Sequence, residues 1–348
     1  MLEQEDLGFV AGVLEAGKSL TAHGITLTGS FFGTPPSTAV LKAMMLLFEN
    51  YEPIYRINLL PGMRPVYLGD RLNKICRFCD RTTPQVTFRK VAHAIPESTG
   101  NSALRTYHEC DSCNELFGIG GGIEDHFSKW CKLSRTSSQV KGKNGVPSIK
   151  GRDHEIRLGD VGLNMQFADP NCMDMDEENK RVTIKVPTEP YIPLAVLKAF
   201  HKMALSVMPE SEIAEFKETI DWIRNPDHRQ PGRAYTKVIH TFIDGSPPFT
   251  LPLIYLFRRR HDDRTMPYMF FVLGFGNNLF QVTLPSSKQN DQVNTPVFAM
   301  PHSDFDRAKA RTVDLGCAEE VRGEIQLSSF GFESCELKTH KISETPSL

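Results

Sequence analysis

The sequence predicts an α+β protein in two parts, a small metal-stabilised module and then a larger α+β domain built on an antiparallel sheet. Three observations carry this. Two Cys-x-x-Cys pairs, Cys76/Cys79 and Cys110/Cys113, stand close together in the first half of the chain. Residues 191–207 and 211–224 carry apolar side chains at helical spacing. Four strand-like runs follow at 236–243, 251–257, 268–273 and 279–284, with Gly, Pro and Asp clusters between them. Short runs joined by turns pair antiparallel.

Length and composition bound the rest. The 348 residues, 40% of them apolar, are enough for two or three domains of ordinary size. The formal net charge is −2, so the chain as a whole does not demand a nucleic-acid partner. Its distribution is more telling. Residues 70–150 hold thirteen Lys/Arg against eight Asp/Glu, an excess of +5 that leaves −7 for the remainder. A basic module on an acidic protein is the asymmetry expected for phosphate-backbone binding. Beyond the two pairs, Cys131, Cys172, Cys317 and Cys335 are scattered without a pairing pattern, which favours a reducing compartment. The N-terminus reads M-L-E-Q-E-D, acidic where a secretory signal would be basic. No apolar run approaches the roughly 20 residues that span a bilayer. A cytoplasmic protein without a membrane partner is expected.

Taken in order, residues 1–65 form an N-terminal extension with one short helix, 39–48. Pro36 is compatible with its start, and Ser37 or Thr38 can cap it. Val40, Leu41, Met44, Leu47 and Phe48 share a face that is expected to pack on the metal module, with partner binding as the second reading. Turn residues at 59–65 close this region. The metal module is expected over 66–132. Its first strand is 86–91 with His93 at the end, Gly100-Asn101 turn the chain, and 103–107 return. A helix begins at Asn114, is interrupted by glycines at 118 and 120–122, and resumes over 123–132 with Ile123, Phe127 and Trp130 on one face. Residues 133–180 are read as a basic linker and irregular region. Lys141, Lys143, Lys150 and Arg152 suit either a linker or an arm along nucleic-acid phosphates. The acidic run 174–178 is expected to be a solvated loop. The α+β domain spans 181–301, opening with a strand at 181–186. Leu194, Leu197, Phe200, Ala204 and Val207 stripe its first helix. Pro209 ends that helix, and Ile213, Phe216, Ile220 and Ile223 face inward on the second. Arg258, Arg259, Arg260 and His261 form a charge run, by default a solvated turn and alternatively a phosphate contact. A segment 302–348 closes the chain, with a disordered tail beyond Glu336.

Each Cys-x-x-Cys pair presents two thiolates. Four thiolates satisfy the tetrahedral preference of zinc and leave no open position, the signature of a structural site. The interval of 31 from Cys79 to Cys110 exceeds that of a simple zinc ribbon and has room for a β-hairpin, on which His93 lies. The residues C-R-F-C at 76–79, A-H-A-I-P-E-S-T-G-N at 92–101 and E-C-D-S-C-N at 109–114 resemble the HNH endonuclease family, whose core is a ββα-metal fold. The similarity runs from about Arg71 to Glu124 and continues more weakly through 141–147 and 191–206.

The resemblance implies metal-dependent hydrolysis of DNA phosphodiester bonds, with defence against foreign DNA as a setting. It assigns His93 as general base, and a neutral imidazole with an ordinary pKa of about 6.5 suits that role. It assigns Asn114, just after the second pair, as a ligand of Mg²⁺ or Mn²⁺, for which a neutral oxygen is acceptable. Two departures stand out. Ala92 occupies a position where the family often carries a ligating Asp or His. The middle asparagine of the motif should fall near Arg105, and Asn101 is the nearest candidate. Glu97, Glu109 and Glu124 are close enough in sequence to complete a metal site. Glu97 and Glu124 are favoured, because no apolar face needs them. Plainer roles stand beside these: a hydrogen-bonded hairpin histidine for His93, a helix cap for Asn114 and a turn residue for Asn101. His126, His201, His240 and His261 are expected to be ordinary core or surface residues. The competing function is a non-catalytic zinc-stabilised module that binds nucleic acid or protein. DNA is the expected partner, RNA is left open, and the C-terminal domain is expected to select the target or bind a protein.

Overall fold

The structure, a computed structural model, describes residues 20–22, 25–27, 38–152, 154–159, 162–168, 173–176, 178–179, 181–187, 189–230, 232, 235–288 and 308–330. The tail beyond Glu336, Cys172 and Cys335 lie outside the described residues. A two-stranded ribbon, β1 (Leu20–Ala22) and β2 (Ile25–Leu27), comes first. Helix α1 (Thr38–Asn50) then runs directly into β3 (Tyr51–Asn58).

The module follows. Strands β4 (Val66–Leu68), β5 (Ala92–His93) and β6 (Leu104–Thr106) form a sheet in the order β4-β6-β5. β5 is antiparallel to β6, with His93 opposite Arg105, while β4 runs parallel to β6. Helices α2 (Asp111–Gly118) and α3 (Ile123–Trp130) complete it. The order β5-β6-α2 is the expected ββα arrangement. The glycines between α2 and α3 make an elbow: a Cβ on Gly122 would lie 2.6 Å from the Phe117 carbonyl oxygen, and Gly121 has φ +85°. The strand expected over 86–91 does not form. Asp111 claims that backbone instead, its carboxylate accepting the amides of Arg89 (3.0 Å) and Lys90 (2.9 Å) while its own amide donates to the Thr87 carbonyl (2.8 Å).

Residues 133–180, expected to be an irregular linker, contain α4 (Lys132–Ser137), the antiparallel sheet β7 (Ile149–Lys150), β8 (His154–Gly159) and β9 (Gly162–Phe167), and β10 (Met173–Asp176). Ile149 and Ile156 give this region a small core of its own, with Leu133, Met165 and Phe167 around it. Part of the acidic run is therefore strand, paired with β11 (Arg181–Pro187), rather than a solvated loop.

Helix α5 (Pro193–Val207) begins with Pro193 in its first turn, where the missing amide costs nothing. A 3₁₀ stretch (Glu210–Phe216) leads into α6 (Lys217–Arg224), so the second expected helix is α-helical only in its latter half. Glu212 ties the tighter turn to the sheet through the Arg258 guanidinium (2.5 Å) and the Tyr268 hydroxyl (2.6 Å). The remaining strands are β12 (Lys237–Ile243), β13 (Phe249–Arg259), β14 (Met269–Gly276), β15 (Asn278–Leu284), β16 (Ala308–Asp314) and β17 (Glu324–Phe330). A six-stranded antiparallel sheet runs β16-β12-β15-β14-β13-β3, and β17 joins β10 and β11 separately.

Three expectations change in this assembly. First, the N-terminal region is not a mere extension, since β3 is an edge strand of the large sheet. The side chain of Leu47 on α1 packs with Tyr51, Phe257 and Phe270, on the sheet and not on the metal module. Second, α5 is buried along all 15 residues, not along one stripe. It lies between α3 of the module and β15 of the sheet, and Phe200 meets Phe127 (5.3 Å between ring centres), Trp130 (5.8 Å) and Phe280 (5.3 Å). One apolar core therefore runs from the cysteine cluster through α5 into the sheet. A module this small cannot bury a core of its own, so it shares one. Third, the run from Arg258 is committed to structure. Arg258 pairs with Glu52 and Glu212, Arg259 donates to the carbonyls of His261, Met266 and Lys288, and Arg260 donates to those of Phe48 and Tyr51. Arg260 and His261 remain exposed, as expected of turn residues.

Candidate active site and zinc centre

The four cysteines converge. Cys76 and Cys79 lie on a tight turn in which the Asp80 amide donates to the Cys76 carbonyl (2.8 Å), with Asp80 in the left-handed region at φ 55°. Cys110 caps the N-terminus of α2 and Cys113 sits in its first turn. The sulfurs of Cys76, Cys79, Cys110 and Cys113 all lie within 4.8 Å of one another, and Cys79 and Cys110 are 3.8 Å apart. Zn–S bonds of about 2.3 Å in a tetrahedron place sulfurs roughly 3.8 Å apart, so the cluster could hold a zinc ion. The electrostatics fit as well. The Cys76 thiol is lowered to about 5, first by a hydrogen bond from Cys113. Cys113 is raised by that same bond, and burial lifts Cys110 to about 11. Four thiolates in this space repel one another unless a cation joins them. Cys131, by contrast, is a free buried thiol beside α4.

His93 ends β5 and is half-buried. Its Nε2 lies 3.8 Å from the Glu97 carboxylate and has no hydrogen-bond partner among the described residues. Burial lowers its pKa, with Glu97 and Glu124 opposing and Arg105 and Lys202 reinforcing, so the imidazole is neutral near pH 7. Glu97 opens the 3₁₀ turn Glu97–Thr99 just beyond the strand, which brings it beside the ring.

Asn101 is placed differently from a residue that meets substrate. It is 1% exposed, and its amide is fully engaged with backbone. The side-chain NH₂ donates to Ile95 O (2.6 Å) and Leu104 O (2.9 Å), and Oδ1 accepts from Ala103 N (3.1 Å) and Leu104 N (2.8 Å). It ties together the loop that joins His93 to the return strand. Arg105, where the motif's asparagine was sought, sits across the ladder from His93 with a buried Nε that lacks a partner among the described residues. Ala92 is buried and offers no ligand.

Asn114 and Glu124 line one cleft of about 460 Å³ together with Arg89, Lys90, Asp111 and Glu115. The Asn114 backbone amide donates to the Cys110 carbonyl (2.9 Å), while its side-chain amide makes no hydrogen bond among the described residues and lines the cleft. Glu97 does not reach this cleft. It lines a second one of about 420 Å³ with Lys141 and Lys143. Glu97 thus lines one cleft and Glu124 the other, and both carboxylates act on the His93 imidazole against its burial. The cysteines form the only group of three or more His, Cys, Asp or Glu side chains among the described residues that is close enough to hold an ion. A second cation would draw its remaining ligands from water and substrate, as Mg²⁺ commonly does, and the oxygen donors of Asn114 and Glu124 suit it. Glu109 is wholly buried and does not face either cleft.

Sequence reasoning missed Lys202. Its ammonium, 1% exposed, pairs with Glu109 (2.9 Å) and Glu124 (2.9 Å) and donates to the His93 carbonyl (3.4 Å). Those two carboxylates hold it charged, against the desolvation of its site. The signal in the sequence was a lysine on a helix whose other faces are apolar, but nothing local names its partners. Three further histidines are held by structural bonds: His126 accepts from the Ile192 amide (3.1 Å), His201 bonds the Leu197 carbonyl (2.8 Å), and His240 bonds Asn278 (2.9 Å).

The module thus joins four clustered cysteines that could hold a zinc ion to a half-buried histidine beside a carboxylate. Residues 76–129 match the family model described as HNH endonuclease, which bears out the resemblance over the module. No curated protein and no solved structure matches the chain.

Proposed function

We propose that the chain is a metal-dependent HNH-type endonuclease that hydrolyses DNA phosphodiester bonds, with His93 as general base. The observation that carries this is the His93 imidazole itself: half-buried, held neutral, its Nε2 without a partner, on the β-strand of a ββα frame anchored by four cysteines. A neutral imidazole takes the proton of the attacking water. Glu97, 3.8 Å away, stabilises the imidazolium once that proton has moved. Arg105, opposite His93 in the ladder, offers a guanidinium to the charge that develops on the phosphate. Asn114 and Glu124 would hold Mg²⁺ or Mn²⁺. When bound, such a cation polarises the phosphate and steadies the leaving oxygen. The zinc on Cys76, Cys79, Cys110 and Cys113 has no part in the reaction, because four thiolates leave it no open position. Lys141 and Lys143, exposed on the far side of Glu97, continue a basic flank for the nucleic-acid backbone.

The test is nicking of supercoiled plasmid, with a structured RNA in parallel, in Mg²⁺ or Mn²⁺. His93→Ala should lower the rate by about 10²–10⁴-fold with zinc content and DNA binding unchanged. Equal rates in both proteins reject His93 as base. No cleavage of either nucleic acid under either metal rejects the enzyme and favours the non-catalytic binding module, to which Ala92 already lends support.

A further inference from the structure

We propose that Lys202 is a positioning residue: a single ammonium on α5 fixes both the strand that carries His93 and the cleft carboxylate Glu124, so the site is assembled by the helix it docks on. The nuclease reading supplies what is being positioned, while the contacts stand without it.

The three partners of Lys202 come from three separate pieces of the module. The His93 carbonyl belongs to β5, Glu109 precedes the second cysteine pair, and Glu124 lies in the first turn of α3. No local sequence rule brings these together. A point charge on a flexible stem can, because an ammonium has three donors to share. The placement is costly. Lysine is almost never fully buried unless paired, and Leu or Met would fill the same space without desolvating a charge. Simple docking does not require it either. The module already grips the end of α5 through Arg77, whose guanidinium donates to the Leu205 and Ser206 carbonyls and pairs with Glu210 at 3.0 Å. Arg77 touches no residue of the site; Lys202 touches two of its elements. Charge adds to geometry. Lys202 is the counter-charge to the wholly buried Glu109 and links that carboxylate to Glu124, which is 23% exposed at the cleft.

Lys202→Met alone would strand the buried Glu109, so the test removes the pair as a unit, Lys202→Met with Glu109→Gln in the full chain. This double variant should keep zinc and DNA affinity and lose turnover by about 10²-fold, the scale of a displaced catalytic group. A second readout is the His93 titration followed by NMR. The ring is faced by Glu97, Glu124, Arg105 and Lys202, and loss of the Lys202 charge should move its midpoint upward. Lys202→Arg keeps the charge but not the compact geometry. It should hold the midpoint and recover only part of the turnover, and it decides the matter if the double variant does not fold. Wild-type turnover in Lys202→Arg, or an unmoved midpoint in the double variant, overturns the proposal. If the wild-type chain cuts nothing, the nuclease reading fails and the midpoint alone judges Lys202.

Discussion

Asn101→Ala removes a side chain that touches no substrate, yet it should loosen the loop behind His93. The amide makes four hydrogen bonds to backbone, at 2.6, 2.8, 2.9 and 3.1 Å, at a site 1% exposed. Each such bond contributes about 1 kcal/mol net, and an orphaned buried partner costs at least as much. Truncation therefore removes all four bonds, leaves the Ile95 carbonyl and the Ala103 and Leu104 amides without this partner while the Leu104 carbonyl keeps the Ala94 amide (3.2 Å), and should cost about 4 kcal/mol locally. The assay is native-state hydrogen exchange at the amides of Ala103 and Leu104, both of which lose their acceptor. Tenfold per 1.4 kcal/mol converts the cost to roughly 10³-fold faster exchange at these two sites. Asn101→Asp sharpens the test. It keeps the acceptor for both amides but turns a carboxylate oxygen toward the Ile95 and Leu104 carbonyls, so it should not rescue. Exchange that stays within tenfold of wild type in Asn101→Ala would refute the bracing role and reopen a direct role for this residue.

Other expectations follow from the same structure. Cys110→Ser should drop the zinc content from about one per chain and unfold the module, read by metal analysis and proteolysis; a metal-loaded, folded variant would remove the zinc centre. Lys141→Ala and Lys143→Ala should each flatten the slope of log affinity for DNA against log salt by about 0.9, and an unchanged slope would take both residues off the backbone path. Burial lowers both His201 and His240 to about 4, so each is neutral in the folded chain. Their contribution to stability is complete above the unfolded value of about 6.5 and is lost as pH falls toward 4. By pH 5 the loss should be about 2 kcal/mol each, measured as a fall in urea midpoint between pH 7 and pH 5. A midpoint that is flat over this range would mean that both rings are charged in the fold, and a fall of half the size that one is.

The chain shows how far local chemistry reaches. The cysteine pairs, the histidine after the first of them and the asparagine after the second are all contiguous signals, because a zinc knuckle and a helix start are each made by residues a few positions apart. The four strands of the C-terminal sheet were legible for a similar reason, since alternation and turn residues act over short spans. Where a side chain reached in from a distance, local pattern misled. Residues 86–91 have strand composition, but Asp111 takes their amides. Arg258 to Arg260 look solvated, but Glu52, Glu212 and distant carbonyls claim them. Asn101 reads as a turn residue or a catalytic one, and only its four backbone partners decide between them.

By itself, then, the order of residues determined that a ββα module with a tetrathiolate site lies in this chain and that an antiparallel sheet follows it. Only the tertiary structure decided that the two share one core, that α1 and β3 belong to the sheet, that Glu97 and Glu124 serve different clefts, and that the ammonium of Lys202 joins a distant helix to the strand bearing His93. The physical reason is range. Propensity, capping and metal-ligand spacing act between neighbours in sequence, whereas burial and ion pairing act between neighbours in space, and the chain brings the latter together only after it has folded.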